Sequence, residues 1–196
     1  MKRAIVLILL LSAVLLPLSA APSLSLNPVP SMHWNLYMTD TGKRFDFLSL
    51  GIDFTLASQE GLGYFENLSV LFPVSGTDFM GRTFSIGEFY TSGIGLQNVA
   101  GIGYGGSLNE KYSAFVGTGP LVSWMKASGN ESYYSFESLN AGWSVFMRLS
   151  AQAGDHVYVS LDSRIDWGFW DLIHSASQGI KSEVNSSVAI KLGYEI

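Results

Sequence analysis

The sequence has no cysteine and few basic residues, and both absences restrict what the protein can be. Without cysteine there are no disulfides, no cysteine-ligated metal and no lipid-modified N-terminal cysteine. The 196 residues include 11 Lys and Arg against 16 Asp and Glu, which gives a formal net charge of −5. Nucleic-acid binding needs basic residues that neutralise phosphates. The composition therefore argues against a nucleic-acid partner, and an exported domain without disulfides needs another source of stability.

Only one long apolar run is present, and it lies at the N-terminus. Lys2 and Arg3 precede the apolar residues 4–16, Pro17 ends the run, and small residues occupy positions 19–21. This layout predicts a cleaved signal peptide over residues 1–21, followed by a single mature domain over residues 22–196. The alternative is an uncleaved anchor, which needs about 20 apolar residues. Two cleavage sites remain open, one after Ala20 and one after Ala21. Cleavage lowers the Lys plus Arg count from 11 to 9 and the formal charge from −5 to −7.

After residue 30, apolar and polar residues alternate with period two almost everywhere, which is typical of strands with two different faces. Eight such stretches occur, and no second apolar run has the length of a membrane-spanning helix. The stretches are residues 32–39, 48–57, 68–74, 96–105, 112–124, 139–152, 157–167 and 184–196. The pattern predicts about eight strands in one all-β domain.

The predicted connections alternate in length. Short turns are expected around Glu66-Asn67, at residues 108–111 and at 153–156, and longer segments at 75–93, 126–134 and 168–183. With both termini in the periplasm, every long segment falls outside the cell, as in outer-membrane barrels. The first hairpin, at residues 39–43, is an exception to this asymmetry. Residues 83–93 are assigned to the second long loop, because a ninth strand would break the even strand count.

Pro120 falls inside the fifth predicted strand. Proline cannot donate a ladder hydrogen bond, so we expect a bulge or local widening there.

The chemistry of the two faces separates a membrane barrel from a soluble one. The polar face is rich in Gly, Ser and Asn, which suit a lumen, and the apolar face is large and aromatic, which suits lipid. Tyr112 and Trp124 share that apolar face near opposite ends of one strand, about 30 Å apart along the membrane normal. The prediction is a closed antiparallel up-and-down transmembrane β-barrel in outer-membrane lipid. A soluble secreted barrel of the lipocalin type is the alternative.

The last strand resembles the C-terminal assembly signal of bacterial outer-membrane proteins, in which apolar residues alternate up to a terminal Phe. The matching residues are Val188, Ile190, Leu192, Tyr194 and Ile196, and Ile196 departs from the aromatic end. The layout of residues 112–196 also resembles the small OmpX/OmpW/OmpA-type barrels. This resemblance implies an outer-membrane location, the barrel-assembly machinery as a partner, and, from OmpW, narrow transport of small or apolar molecules.

Charged residues on the polar face form the first candidate site. Six of them share the inward parity of their strands: Asp53, Arg148, Asp162, Arg164, Asp166 and Lys191. They could line a polar conduit. A salt-bridged plug is favoured, because eight strands leave only enough interior for side chains and buried charges must pair. The two arginines are expected to pair with Asp162, Asp166 or Asp53.

The segment 173–181 is the second candidate site. It faintly resembles the active-site segment of outer-membrane lipid A deacylases, in which a His and a Ser two residues later act with a downstream Glu. His174 matches the His, but Ala176 stands at the nucleophile position, Ser177 is one residue off, and Glu183 is closer than the family spacing. Without an aligned nucleophile and base, acyl transfer fails, so no enzyme activity is expected.

Three function classes follow from these observations. The preferred one is a structural or surface-interaction barrel that uses its long loops, with an extracellular ligand that the sequence does not name. A narrow transporter and a lipid-modifying enzyme are the alternatives. The histidines, at positions 33, 156 and 174, lack metal-ligand spacing, so no metal or cofactor is expected.

Overall fold

The computed structural model describes residues 22–39, 44–58, 60–78, 80–130, 135–172 and 180–195. These residues form one antiparallel sheet of ten strands. The strands are β1 (Pro22–Leu26), β2 (Ser31–Thr39), β3 (Arg44–Ser58), β4 (Gly61–Thr77), β5 (Thr83–Ser85), β6 (Tyr90–Ser107), β7 (Tyr112–Gly129), β8 (Phe136–Gln152), β9 (Val157–Asp171) and β10 (Ile180–Glu195). Residues 1–21 lie outside the described part, so the signal peptide stays a prediction.

The sheet closes on itself into a ring of eight strand positions. β1 and β2 share the first position, because each of them pairs with β3 on one side and with β10 on the other. The remaining positions follow in chain order as β3, β4, β6, β7, β8, β9 and β10. β5 is hydrogen-bonded to β4 and adds no position to the ring. The predicted closed, antiparallel, up-and-down eight-stranded barrel is confirmed.

The two faces of the wall follow the predicted alternation, with the apolar residues outside. On β9 the outward residues Val157, Val159, Leu161, Ile165 and Trp167 are exposed, and the inward residues Tyr158, Ser160, Asp162, Arg164 and Asp166 are buried. In water this arrangement would expose a continuous apolar surface, whereas in a bilayer it is the stable one. The same parity extends to the other long strands.

The first strand is interrupted between β1 and β2. Pro28 and Pro30 in the interruption lack backbone donors. The side chain of Asn27 replaces part of the lost ladder: its Nδ2 donates to the carbonyl oxygen of Gly51 at 2.9 Å, and its Oδ1 accepts from the backbone N–H of Asp53 at 2.6 Å. The sequence-based first strand, which starts at residue 32, therefore missed β1, because the prolines hide its continuity with β2.

The turn predicted at Glu66-Asn67 is wrong. Both residues lie inside β4, which begins at Gly61, while β3 ends at Ser58. Glu66 pairs with Leu56 of β3 and Ala100 of β6, so both ladders run through this point. Two polar residues in succession look like a turn in sequence, but here Asn67 points into a polar lumen.

At Pro120, where a bulge or local widening was expected, the ladder is interrupted without the register shift that a bulge would cause. The β6–β7 ladder omits pairs at this level but keeps one register on both sides, and the flanking pairs are Val99–Leu121 and Ile102–Thr118. Gly101 and Gly119 face each other across the gap, where a Cβ on Gly119 would overlap the carbonyl oxygen of Ala100. Because these glycines carry no side chains, the two backbones approach closely and the ladder resumes without an extra residue.

The strands continue into segments predicted as loops. Of residues 83–93, Tyr90–Gly93 belong to β6, and Thr83–Ser85 form the short strand β5. β7 and β9 likewise extend to Gly129 and Asp171. The expectation that residues 83–93 add no strand to the ring is right, and the loop boundary at residue 93 is wrong, since pairing persists where the alternation is already lost.

Asp78 organises the turn between β4 and β5. Its Oδ1 accepts the backbone N–H groups of Met80 at 2.8 Å and Arg82 at 2.9 Å, and Arg82 Nε donates to Oδ2 at 2.7 Å. Loss of hydration acts to raise the pKa of Asp78, but the hydrogen bonds from Arg82 and Met80 outweigh it and hold that pKa below 3.8. The turn is therefore built around an ionised carboxylate.

Candidate functional site in the barrel lumen

All six predicted site residues point into the lumen. Each is at most 4% exposed, and they lie on β3, β8, β9 and β10: Asp53, Arg148, Asp162, Arg164, Asp166 and Lys191. Strand parity puts them on one face, but it does not say which of them touch. The register of neighbouring strands and the reach of each side chain across the lumen determine the contacts.

The first cluster is built on Asp162, which bridges two cations. Arg148 binds it through Nε to Oδ1 and Nη2 to Oδ2, both at 2.8 Å. Lys191 Nζ lies 3.0 Å from Oδ2. Arg148 also donates to Ser25 Oγ at 2.8 Å and to the Tyr158 hydroxyl at 3.3 Å. The guanidinium is held in a bidentate pair, the geometry that best repays the loss of water.

The second cluster is built on Arg164, which crosses the lumen. Its Nε donates to Asp166 Oδ2 at 2.9 Å on the same strand. Its Nη2 donates to Gln97 Oε1 at 2.5 Å, and its Nη1 donates to Asn67 Oδ1. Because Gln97 and Asn67 lie on β6 and β4, this one side chain connects β9 to the opposite wall. Asp166 supplies the charge, and the amides satisfy the remaining donors.

Asp53 has a different partner from those expected. Asp53 Oδ1 lies 3.3 Å from His33 Nε2, and the same ring nitrogen lies 2.9 Å from Ser31 Oγ. Among the described ion pairs neither arginine contacts Asp53. Thr55, two residues further along β3, links the two clusters, because its Oγ1 accepts from Lys191 Nζ at 2.5 Å and from Asn67 Nδ2 at 2.6 Å.

Glu183 is a buried lumen residue that sequence reasoning assigned to a long loop. Ser123 Oγ donates to its Oε1 at 3.0 Å, and Asn140 Nδ2 donates to its Oε2 at 2.7 Å. Ser123 also accepts from Gln97 Nε2 at 3.3 Å, which joins Glu183 to the Arg164 cluster. Glu183 is fully buried inside the barrel. The rest of the deacylase-like segment, at residues 173–179, lies outside the described residues.

Two groups of buried apolar residues accompany the polar side chains in the lumen. At the end with the long loops, nine buried residues form the upper layer: Tyr37, Phe45, Phe47, Leu71, Phe84, Tyr90, Met125, Ala127 and Phe136. Phe84 comes from β5, so the second loop contributes directly to this layer. The second group, here called the lower layer, lies beside the ionic clusters, because Phe115 pairs with Arg148 and Phe146 pairs with Arg164 in neighbouring ladders. It contains Ala57, Phe65, Val99, Phe115, Leu121 and Phe146. The Phe65 and Phe146 rings stack with centroids 5.0 Å apart.

The space left inside is small. Two voids of about 10 Å³ each remain among the described side chains. One lies beside Lys191 and Arg164, and the other lies beside Arg148 and Ser23. Such a volume holds at most about one water. A larger hollow of about 540 Å³ opens among the short turns, where Glu60, Glu110 and Glu195 line it. The described side chains therefore leave hollow space at the turn end and fill the middle of the barrel.

Sequence reasoning missed five residues that contact the charged groups, for three different reasons. His33 and Asn140 were on the polar faces of predicted strands, but nothing in the sequence showed that they bind charged groups. Glu183 would have been found by extending the alternation of β10 two residues back from Asn185. Asn67 and Gln97 could be placed inward only once β4 and β6 had their full lengths.

Among the described residues, no helix has the length and apolar character needed to cross a membrane. No group of three or more His, Cys, Asp or Glu side chains suited to a metal ion occurs in the described part of the chain.

A closed ring of strands with an apolar exterior and a polar, hydrogen-bonded interior is an integral membrane β-barrel. Barrels with eight strands have interiors that side chains fill, as they do here. The class defined by this geometry is the small transmembrane β-barrel.

Comparison with known proteins specifies the class further. No family model and no curated protein matches the chain. The fold is similar to Neisserial surface protein A, with a TM-score of 0.62 and 7% identity over 90% of this chain and 98% of that one. It is similar to Ail, the attachment invasion locus protein of Yersinia pestis, with a TM-score of 0.54 and 12% identity over 89% and 97% of the two chains. It is also similar to the outer membrane protein OprG from Pseudomonas aeruginosa, with a TM-score of 0.54 and 8% identity over 90% of this chain and 96% of that one.

These structures are eight-stranded outer-membrane barrels of the OmpX/Ail/OmpW type. The chain has their fold and is an integral outer-membrane β-barrel, which confirms the class expected from its alternation and final strand.

Proposed function

We propose that this protein is a closed outer-membrane barrel with a structural or surface-interaction role, carried by its longer loops rather than by its lumen. The filled interior is the observation that supports the proposal. Aromatic rings fill the loop end of the lumen and also lie beside the buried ion pairs Arg148–Asp162 and Arg164–Asp166, so a solute would have to displace rings and break ion pairs. Breaking a buried pair costs about 3–5 kcal/mol, which opposes narrow transport.

Conductance measurements on the purified barrel test the closed lumen. The protein is reconstituted into planar bilayers, with an empty-detergent control and a known porin as positive control. We expect no stepwise conductance from the native chain. A double variant, Phe65→Ala with Phe146→Ala, removes two stacked rings of the lower layer and serves as the matched opened form. Regular single-channel steps from the native chain would contradict the proposal and favour the transporter.

The charged residues at the loop end indicate which kind of ligand the surface disfavours. The described basic residues there are Arg44, Arg82 and Lys126, and the acidic ones are Asp46, Asp78, Glu88, Glu137 and Asp171. Arg82 pairs with Asp78 at 2.6 Å, and Lys126 pairs with Glu137 at 3.4 Å. One Ail structure contains the heparin analogue sucrose octasulfate. A predominantly acidic surface does not favour such a polyanion, so we expect this barrel not to bind heparin resin at physiological salt.

The last strand fits a role in assembly. Four residues of the predicted signal, Val188, Ile190, Leu192 and Tyr194, are exposed on the outer wall, and Ile196 lies outside the described residues. An apolar stripe that faces outward before membrane insertion is available to the barrel-assembly machinery. We expect Tyr194→Ser to reduce membrane-inserted protein in cells, without destabilising barrel already purified in detergent.

A further inference from the structure

Among the described side chains, the upper part of the polar lumen has more negative than positive charge. The lower cluster balances, because Asp53 and Asp162 are matched by Arg148 and Lys191. In the upper cluster Asp166 and Glu183 share one described cation, Arg164, which binds Asp166. Every described hydrogen-bond donor to Glu183 is neutral. A buried carboxylate without a counter-charge is strongly destabilising, so this surplus charge needs compensation.

Three buried oxygens on β8 and β9, in the same part of the wall as Glu183, have no hydrogen-bond partner among the described residues. They are Asn140 Oδ1, Ser144 Oγ and Asp166 Oδ1, and each of the three residues is at most 1% exposed. Asn140 holds Glu183 through its amide nitrogen, which leaves the carbonyl oxygen available. Ser144 lies directly opposite Asp166 in the β8–β9 ladder. This part of the lumen therefore holds three unpartnered oxygens, together with one unpartnered donor, Asn185 Nδ2, opposite Asp166 in the β9–β10 ladder.

A pair of glycines brings these residues together. Gly142 and Gly168 lie opposite each other in the β8–β9 ladder, and both are buried. A Cβ on Gly168 would lie 3.0 Å from Asn140 Cβ and 3.3 Å from Glu183 Cβ. Because neither glycine has a side chain, this patch of wall is bare backbone. Asn140 and Ser144 flank Gly142 along β8, and Asp166 and Glu183 approach from β9 and β10.

We propose that these four residues bind a single monovalent alkali cation, Na⁺ or K⁺, over the Gly142–Gly168 pair. Carboxylate, amide and hydroxyl oxygens are the ligands that hard cations take. One positive charge compensates the one surplus carboxylate, and the cation satisfies the three oxygens that lack donors. A multivalent ion would leave a net positive charge in the dry lumen. The site is independent of the role proposed for the loops.

Thermal unfolding of the full barrel in detergent tests the site. The midpoint is measured in NaCl, KCl and choline chloride at equal ionic strength, because choline is too large to enter the lumen. A ligand that binds the folded state alone at ten times its dissociation constant should raise the midpoint by roughly 3–6 °C. We expect Na⁺ or K⁺ to give such a saturating rise over choline. Glu183→Gln should abolish it, and Ser144→Ala should shift saturation to higher salt.

Glu110→Gln, which removes a carboxylate from an exposed turn, is the control and should keep the native cation response. Equal midpoints in Na⁺, K⁺ and choline for the native chain would overturn the proposal. So would a midpoint that responds to pH in the native chain but not in Glu183→Gln while ignoring the cation, because a proton would then occupy the site. Stabilisation by Ca²⁺ alone would also overturn it. Bilayer conductance is a separate readout, so this result does not decide the role of the loops.

Discussion

The two lumen arginines should differ in how much their removal costs, because they leave different neighbours behind. Arg164→Ala removes the one described cation beside Asp166, and it also frees the acceptors of Asn67 and Gln97. Arg148→Ala leaves Asp162 with Lys191, whose Nζ is 3.0 Å away. Both arginines are buried to a similar degree, at 3% and 4% exposed. The comparison therefore isolates the effect of a second cation.

The magnitudes follow from what remains unpaired. Leaving a buried charge without its partner costs about 3–5 kcal/mol, which is the expected loss for Arg164→Ala. After Arg148→Ala, Asp162 still has Lys191 in direct contact, so loss of the bidentate pair and of the hydrogen bonds to Ser25 and Tyr158 should cost less, about 1–3 kcal/mol. Arg82→Ala, at an exposed pair outside the barrel wall, should cost ~0–1 kcal/mol and serves as the control.

Urea titration of the three variants in detergent, followed by tryptophan fluorescence and by heat-modifiable migration on gels, gives the ranking. The free energy of unfolding should fall most for Arg164→Ala, less for Arg148→Ala and least for Arg82→Ala. Adding Asp166→Asn to Arg164→Ala should recover part of the loss, because the orphaned charge is removed. Equal losses for the two lumen arginines, or a larger loss for Arg148→Ala, would refute the argument from the second cation.

Three further outcomes are expected. Gly193→Ala should lower the folded yield, because its Cβ would overlap the Tyr158 ring, and adding Tyr158→Ala should restore yield on heat-modifiable gels. Val145→Arg, on the outer wall, should cost ~2–4 kcal/mol in lipid vesicles, and Val145→Leu should be neutral; similar losses from both would place this residue away from lipid. The depressed pKa of Asp78 stabilises its turn above pH 3.8 and loses that effect as pH falls through the folded pKa. Asp78→Ala should therefore speed trypsin cleavage after Arg82 at neutral pH, and an unchanged rate would contradict the role of this carboxylate.

The sequence predicted the barrel because each strand has two different environments. Lipid outside and polar side chains inside impose a strict period of two, and this period located most strands and both faces. The prediction failed where a local feature masks the period. Pro28 and Pro30 hid β1, and the polar pair Glu66-Asn67 looked like a turn, although ladders on both sides hold it in β4.

The candidate site was only half predictable. Parity shows which residues enter the lumen, and all six charged residues are there. Partner choice depends on distances across the barrel, which no local pattern records. Arg164 contacts Gln97 and Asn67 on far strands because of the ring's diameter and tilt. Glu183 was missed because the alternation of β10 weakens next to a segment that looked like a loop.

The interruption between β1 and β2 has a consequence for how the wall closes. The seam between the first and last strands consists of two separate ladders with β10, one formed by β1 from Ser23 to Leu26 and one by β2 from Met32 to Thr39. The registers of β1 and β2 against β10 differ by two residues. Each half of the seam is therefore held by its own set of ladder hydrogen bonds. Because the two registers differ by an even number of residues, the inward parity of both halves is preserved.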